Sequence, residues 1–328
     1  MKLKLTEKIM LDFSPASYFT DNTEKIDSIS YSDQGNFLVT SGNDDRVTLF
    51  DCITGKLKNT LFVKRHGVSL IQYTHADNCV IHASTKSEDS IRYLSMHDNR
   101  YIRYFTGHSK RVTSLSMSPL DDTFLSGSLD GTIRLWDLKS QNCKGVLNSG
   151  GKPCAGFDPE GLIFAAGINS NCIKLYDLRS FSSGPFVDFK FKEDWIKSEW
   201  VSIKFSPDGK FILIISKGNI IIVLDAFKGN VVHTFKLATP GGENQLWNAC
   251  FSSDSQYLLA GSAEGVVQIW DTNSGQRVGD LIGREAEKNQ PHKAMHSIAF
   301  NPKYCQFATG THHTSIWMPK GPQLDSAE

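Results

Sequence analysis

Apolar residues along this chain fall into short runs, and helical spacing is sparse. Val112, Ser114 and Ser116 alternate with Leu115 and Met117, the period of a strand with two different faces. Turn signals separate the runs. Phe205-Ser-Pro-Asp-Gly-Lys-Phe211 and Phe157-Asp-Pro-Glu-Gly-Leu-Ile163 set Pro and Gly between apolar residues. There Pro fixes φ and Gly accepts a positive φ. Phe251-Ser-Ser-Asp-Ser-Gln-Tyr257 and Tyr31-Ser-Asp-Gln-Gly-Asn-Phe37 share the outline. The longest apolar stretch, Phe211 to Leu224, is broken at Ser216 to Asn219. It predicts two buried strands and a hairpin turn, too short and interrupted to span a bilayer.

The runs repeat. The clearest copy is Phe124-Leu-Ser-Gly-Ser-Leu-Asp-Gly-Thr-Ile-Arg-Leu-Trp136-Asp137, with Gly107-His108 upstream. Aligned on the residue after the Trp position, the copies end at Asp51, Ser95, Asp137, Asp177, Asp225, Asp271 and Met318, 40 to 48 residues apart. The Trp position holds Phe50, Leu94, Trp136, Tyr176, Leu224, Trp270 and Trp317, all large and apolar. A propeller blade occupies about 40–45 residues. The spacing therefore predicts an all-β, seven-bladed β-propeller, one domain over residues 1–319 with a flexible tail at 320–328.

A ring of blades must join its ends or leave an unpaired edge. After Trp317 only Met318 precedes Pro319, so the tail is a poor outer strand. The missing strand is expected from about residues 14–20, best at Ala16-Ser-Tyr-Phe19, with blade one starting near Ile26.

Composition narrows the partners. Formal net charge is zero, which gives no bulk drive toward nucleic acid or membrane. Seven cysteines with irregular spacing and no Cys-x-x-Cys predict reduced thiols of the cytosol or nucleus. The N-terminus has no apolar h-region, so no secretory signal is expected.

His108, Ser126, Asp130 and Trp136 form the clearest side-chain constellation. A buried indole N–H needs an acceptor, and a hydroxyl both donates and accepts. These four residues resemble the hydrogen-bonded tetrad of WD-repeat proteins. The resemblance implies a structural role, with Ser126 mid-strand and no Gly-x-Ser-x-Gly elbow present. His312-His313 lacks further metal ligands. Ser149-Gly-Gly-Lys152-Pro153 fails as a phosphate loop, because Val146 holds the leading Gly place and Pro153 that of Ser or Thr. No catalytic residue, metal or cofactor is expected.

Longer segments narrow the family. They include Tyr73-Thr-His-Ala76, Ser90-Ile-Arg-Tyr-Leu-Ser-Met-His-Asp-Asn99, Tyr101-Ile-Arg-Tyr-Phe105, Gly107-His-Ser-Lys-Arg-Val112 and Lys174-Leu-Tyr-Asp-Leu-Arg-Ser-Phe181. With them the chain resembles the family of WD repeat-containing protein eighty-two over essentially its whole length. It departs mainly in blades six and seven, near 284–292, and in the tail. The resemblance implies a nuclear, chromatin-associated, non-catalytic subunit, with a cytoplasmic pool as a further expectation. It is shared by COMPASS-type histone lysine methyltransferase complexes and a protein phosphatase one complex of transcription termination. It further implies recruitment to the phosphorylated C-terminal tail of RNA polymerase II, no sequence-specific nucleic-acid binding, and a monomeric propeller inside larger assemblies.

Phosphorylated tails want Arg and Lys clusters. Arg65, Lys110 and Arg111, in segments entering inner strands, are the candidate contacts. A rival reading comes from Tyr176-Asp177-Leu178-Arg179, which resembles the Trp/Tyr-Asp-x-Arg box of cullin-type ubiquitin ligase receptors.

Overall fold

The computed structural model describes residues 4–86, 88–191, 198–237, 248–283 and 294–320. Seven four-stranded antiparallel sheets make the predicted seven-bladed β-propeller. In six blades the strands follow chain order from first to outer, over residues 26–62, 69–105, 112–148, 154–190, 200–236 and 249–282. The Trp positions all fall on third strands, and all seven side chains are buried. The predicted turns close tightly, with Gly161 and Gly209 at φ +68° and +74°.

The apolar core is a set of seven seams. Each forms between neighbouring blades. Phe105, Phe124 and Trp136 join Ile81 and Ile91 between blades two and three. Ile26, Leu38 and Phe50 join Ala308 and Ile316 between blades one and seven. Fully burying one such side chain contributes about 1.5–3 kcal/mol. At six of the seven junctions, blade seven against blade one included, the first strands of neighbouring blades lie side by side around a central channel of 1930 Å³.

Blade seven draws on both ends of the chain. Its order outward is Ser297–Phe300, Phe307–Gly310, Thr314–Pro319 and Phe13–Phe19. Phe13 lies opposite Pro319, and Phe19 opposite Thr314. The outer strand starts three residues before Ala16 and carries a register shift between Pro15 and Ser17. Pro15 is tolerated because an edge strand has an unpaired side. Ahead of it, Thr6 caps a one-turn helix, Glu7–Leu11, that the apolar spacing does not predict. Leu5, Met10 and Phe13 enter the seam of blades six and seven beside Phe307 and Trp317. Lys320 donates its backbone N–H to the Asp12 carbonyl at 3.1 Å. The divergent segment near 284–292, and the tail beyond Lys320, lie outside the described residues.

Candidate interaction surface

Meandering blades sort their connections onto two faces. Links from outer to next first strand, and turns from second to third strand, share one face. The other two turns of each blade share the opposite face. The first face carries His108, Asp130, Arg65, Lys110 and Arg111.

Blade three joins its strands through a relay of polar groups. Trp136 donates its indole N–H to Ser126 Oγ at 2.8 Å. The Ser126 hydroxyl then has its proton free for His108 Nε2, 2.7 Å away. That assignment leaves the imidazole proton on Nδ1, facing Asp130 Oδ2 at 2.8 Å. Asp130 also accepts from the Ser109 N–H, the Thr132 N–H and the Thr132 hydroxyl. Burial lowers the His108 pKa and outweighs the pull of Asp130, so the imidazole is neutral. Burial would raise Asp130, but hydrogen bonds from Thr132, His108 and Ser109 hold it well below the usual carboxylate range. With Ser126 engaged on both sides and wholly buried, it presents no nucleophile to solvent.

Other blades keep fragments of this relay. In blade one, Asn22 reaches Asp44 at 3.5 Å, and the Thr23 N–H reaches the same carboxylate at 3.0 Å. In blade seven, Trp317 donates to Thr309 Oγ1 at 2.9 Å. In blade six, Ala260 takes the serine's place in the register.

The mouth of the channel on this face is ringed by charge. Lys25, Lys86, Arg111, Lys152 and Lys217 line it, with Asp27, Asp45 and Glu199 among them. Lys152 and Lys217 both bind Glu199, and Lys86 binds Asp45. Burial would raise Glu199, but its two lysine hydrogen bonds lower it. Arg111 forms no ion pair among the described residues. The three sequence candidates share this face but separate upon it. Arg111 lines the channel, and Arg65 lines a smaller depression on blade two. Lys110 lines neither; its carbonyl accepts the Ser128 hydroxyl at 2.7 Å. Tyr176, Asp177 and Arg179 sit at the opposite face. There the exposed Arg179 guanidinium is paired with Asp177 at 3.0 and 2.6 Å, and the Tyr176 ring is buried against Phe164. Among the described residues, no three His, Cys, Asp or Glu side chains gather as metal ligands would.

The sequence reading missed Arg92, which shares the depression with Arg65. In sequence it is only the arginine of a degraded repeat, equivalent to Arg134 of blade three. Its burial comes from the neighbouring outer strand, which no local signal encodes.

Comparisons with known proteins agree with this architecture. The family described as WD domain, G-beta repeat matches residues 13–51, 99–137 and 229–271. WD repeat-containing protein 82 of Drosophila melanogaster is 46% identical over 319 residues, covering 97% of this chain and 98% of that protein. The Set1 complex component swd2 of Schizosaccharomyces pombe is 41% identical, covering 72% of this chain and 68% of that protein. The COMPASS component SWD2 of Saccharomyces cerevisiae is 36% identical, covering 87% and 88%. With its seven blades closed by the N-terminal strand and its similarity running almost end to end, this chain belongs to the WD repeat-containing protein 82 family.

Proposed function

We propose that this chain is a non-catalytic docking subunit of a Set1/COMPASS-type histone lysine methyltransferase complex, acting at chromatin in the nucleus. One observation carries the reading: near-full-length similarity to a family whose yeast relatives bear the names of Set1 and COMPASS components. A rigid ring with loops gathered on two faces suits that work, because a scaffold holds recognition groups in place without reorganising.

The reading extends to two finer points. The arginine-bearing face takes the phosphorylated C-terminal tail of RNA polymerase II, with Arg65, Lys110 and Arg111 as contacts. The same chain also serves a protein phosphatase one complex. Arg111 supports the first point, since it stands at the channel mouth in no close ion pair among the described residues, attracted only at longer range by Asp27.

Affinity purification of the tagged chain from nuclei, with identification of bound proteins, tests the reading. Methyltransferase subunits are expected among them, and their absence would overturn it. Charge reversal at Lys110 and Arg111 is expected to leave those subunits bound while lowering affinity for a phosphorylated polymerase tail peptide.

A further inference from the structure

Blade two carries a depression of 390 Å³ lined by Arg65, His66, Glu88, Arg92 and Tyr104. Arg92 projects from the third strand, Ile91–Ser95, and is only 2% exposed. A guanidinium so buried normally has a carboxylate beside it. Here it has neither an ion pair nor a hydrogen bond among the described residues, and its Nε is buried without a partner. Its surroundings are two aromatic rings, with the guanidinium carbon 5.4 Å from the Tyr101 centroid and 4.8 Å from that of Tyr104. Ring faces attract the cation but offer no acceptor to N–H groups in the guanidinium plane. The rings therefore orient Arg92 and leave its hydrogen-bonding capacity unspent.

A second guanidinium lines the same depression. Arg65 is exposed and forms no ion pair among the described residues. Glu88 also lines it, and among the described residues no ion pair joins its carboxylate to either arginine. Two unpaired guanidiniums in one concavity call for an anion with several oxygens. A carboxylate brings one charge and two oxygens. A phosphate monoester brings close to two charges and three oxygens, which better match a pair of forked donors.

We propose that this depression is a phosphoryl-binding pocket, holding the phosphate of a phosphorylated serine or threonine between Arg92 and Arg65. Tyr101 and Tyr104 fix the Arg92 plane in advance, which lowers the ordering cost of binding. The pocket is distinct from the channel mouth, so on a phosphorylated tail lying across this face Arg65 would share one phosphate with Arg92, while Arg111 meets another part of the tail. It rests on the docking-subunit reading only for the choice of a peptide as carrier.

The test is NMR of the arginine Nε–H groups in the ¹⁵N-labelled full chain. The probes are a capped Gly-Gly-phosphoserine-Gly-Gly peptide, its serine and glutamate counterparts, and inorganic phosphate. The phosphoserine peptide is expected to move the Arg92 Nε–H resonance saturably, and inorganic phosphate to compete for the same site. The serine peptide should leave it unmoved, and the glutamate peptide should bind at least about tenfold more weakly. Arg65→Gln, at an exposed position, should weaken phosphopeptide binding at least about fivefold while the melting temperature holds. An unmoved Arg92 resonance, equal binding of the glutamate peptide, or full affinity in Arg65→Gln would each overturn the pocket. Failure here with methyltransferase subunits still copurifying removes the pocket alone; the reverse result removes the docking-subunit reading alone.

Discussion

Blades two and three place different residues in the same register. In blade three Ser126 lies opposite Arg134, and in blade two His82 lies opposite Arg92. The four relay residues of blade three satisfy one another, from indole to carboxylate. Among the described residues, blade two leaves His82 Nε2, Ser90 Oγ and Arg92 Nε buried without partners; Arg134 Nε of blade three is also unpartnered, but that side chain is half-buried whereas Arg92 is almost wholly buried. Both blades are nonetheless complete sheets in a closed ring. The seams thus carry the fold, and a ring in which blade two lacks the relay still closes. A satisfied polar network adds stability, whereas an unsatisfied one costs it and invites another explanation. In blade two that explanation is a ligand.

Both blades sit in a closed ring, and the largest effect should come from opening it. Deleting residues 1–20 removes the outer strand of blade seven and the Met10 and Phe13 anchors. The melting temperature by circular dichroism should fall by more than about 10 °C. An unchanged value would mean that the ring closes without this strand.

Next in size is Asp130→Ala. It leaves the His108 Nδ1–H, two backbone N–H groups and the Thr132 hydroxyl without their shared acceptor. Urea denaturation should show a loss of about 3 kcal/mol.

Acid separates the blades through their histidines. Burial lowers His82 to about 4, with Arg92 adding to the shift and the Ala83 carbonyl opposing it. His82 is therefore neutral when folded, while an unfolded histidine takes up a proton below about 6.5. Stability should fall as pH drops from 6.5 toward 4, by about 2 kcal/mol at pH 5 from this residue. His108 contributes in the same direction. Burial would also lower His75, but its bond to Asp33 raises it, so this bridge strengthens in acid and offsets part of the loss. His82→Leu should flatten the stability profile between pH 7 and 5.

The smallest effect should come from Arg92→Met. Replacing a buried, unpaired cation with an apolar chain of similar length should change stability by no more than about 1 kcal/mol in either direction. A loss as large as that of Asp130→Ala would give Arg92 the same structural role as the relay.

Much of this was legible in the sequence because the repeat writes its own register. The seven Trp positions identify seven third strands, even where Leu94 and Leu224 replace the indole. Gly107-His108, Ser126, Asp130 and Trp136 together identify the relay of blade three. The closing strand was legible in outline, since Pro319 disqualifies the other end, yet its start at Phe13 depends on a register shift at Pro15. The helix Glu7–Leu11 is one turn long, too short to show a period. Arg92 was illegible because its meaning lies in packing. Its own repeat unit looks like any other, and only the outer-strand rings of Tyr101 and Tyr104 make it a buried charge.

The sharpest single measurement is urea denaturation of Ser126→Ala and Arg92→Met side by side, each with and without the phosphoserine peptide. Ser126→Ala should lose about 1–3 kcal/mol and keep the stabilisation that the peptide confers. Arg92→Met should stay within about 1 kcal/mol of the parent and lose that stabilisation. Equal losses in both variants, with the peptide effect intact in Arg92→Met, would contradict the division between a relay that serves the fold and a charge kept for a ligand.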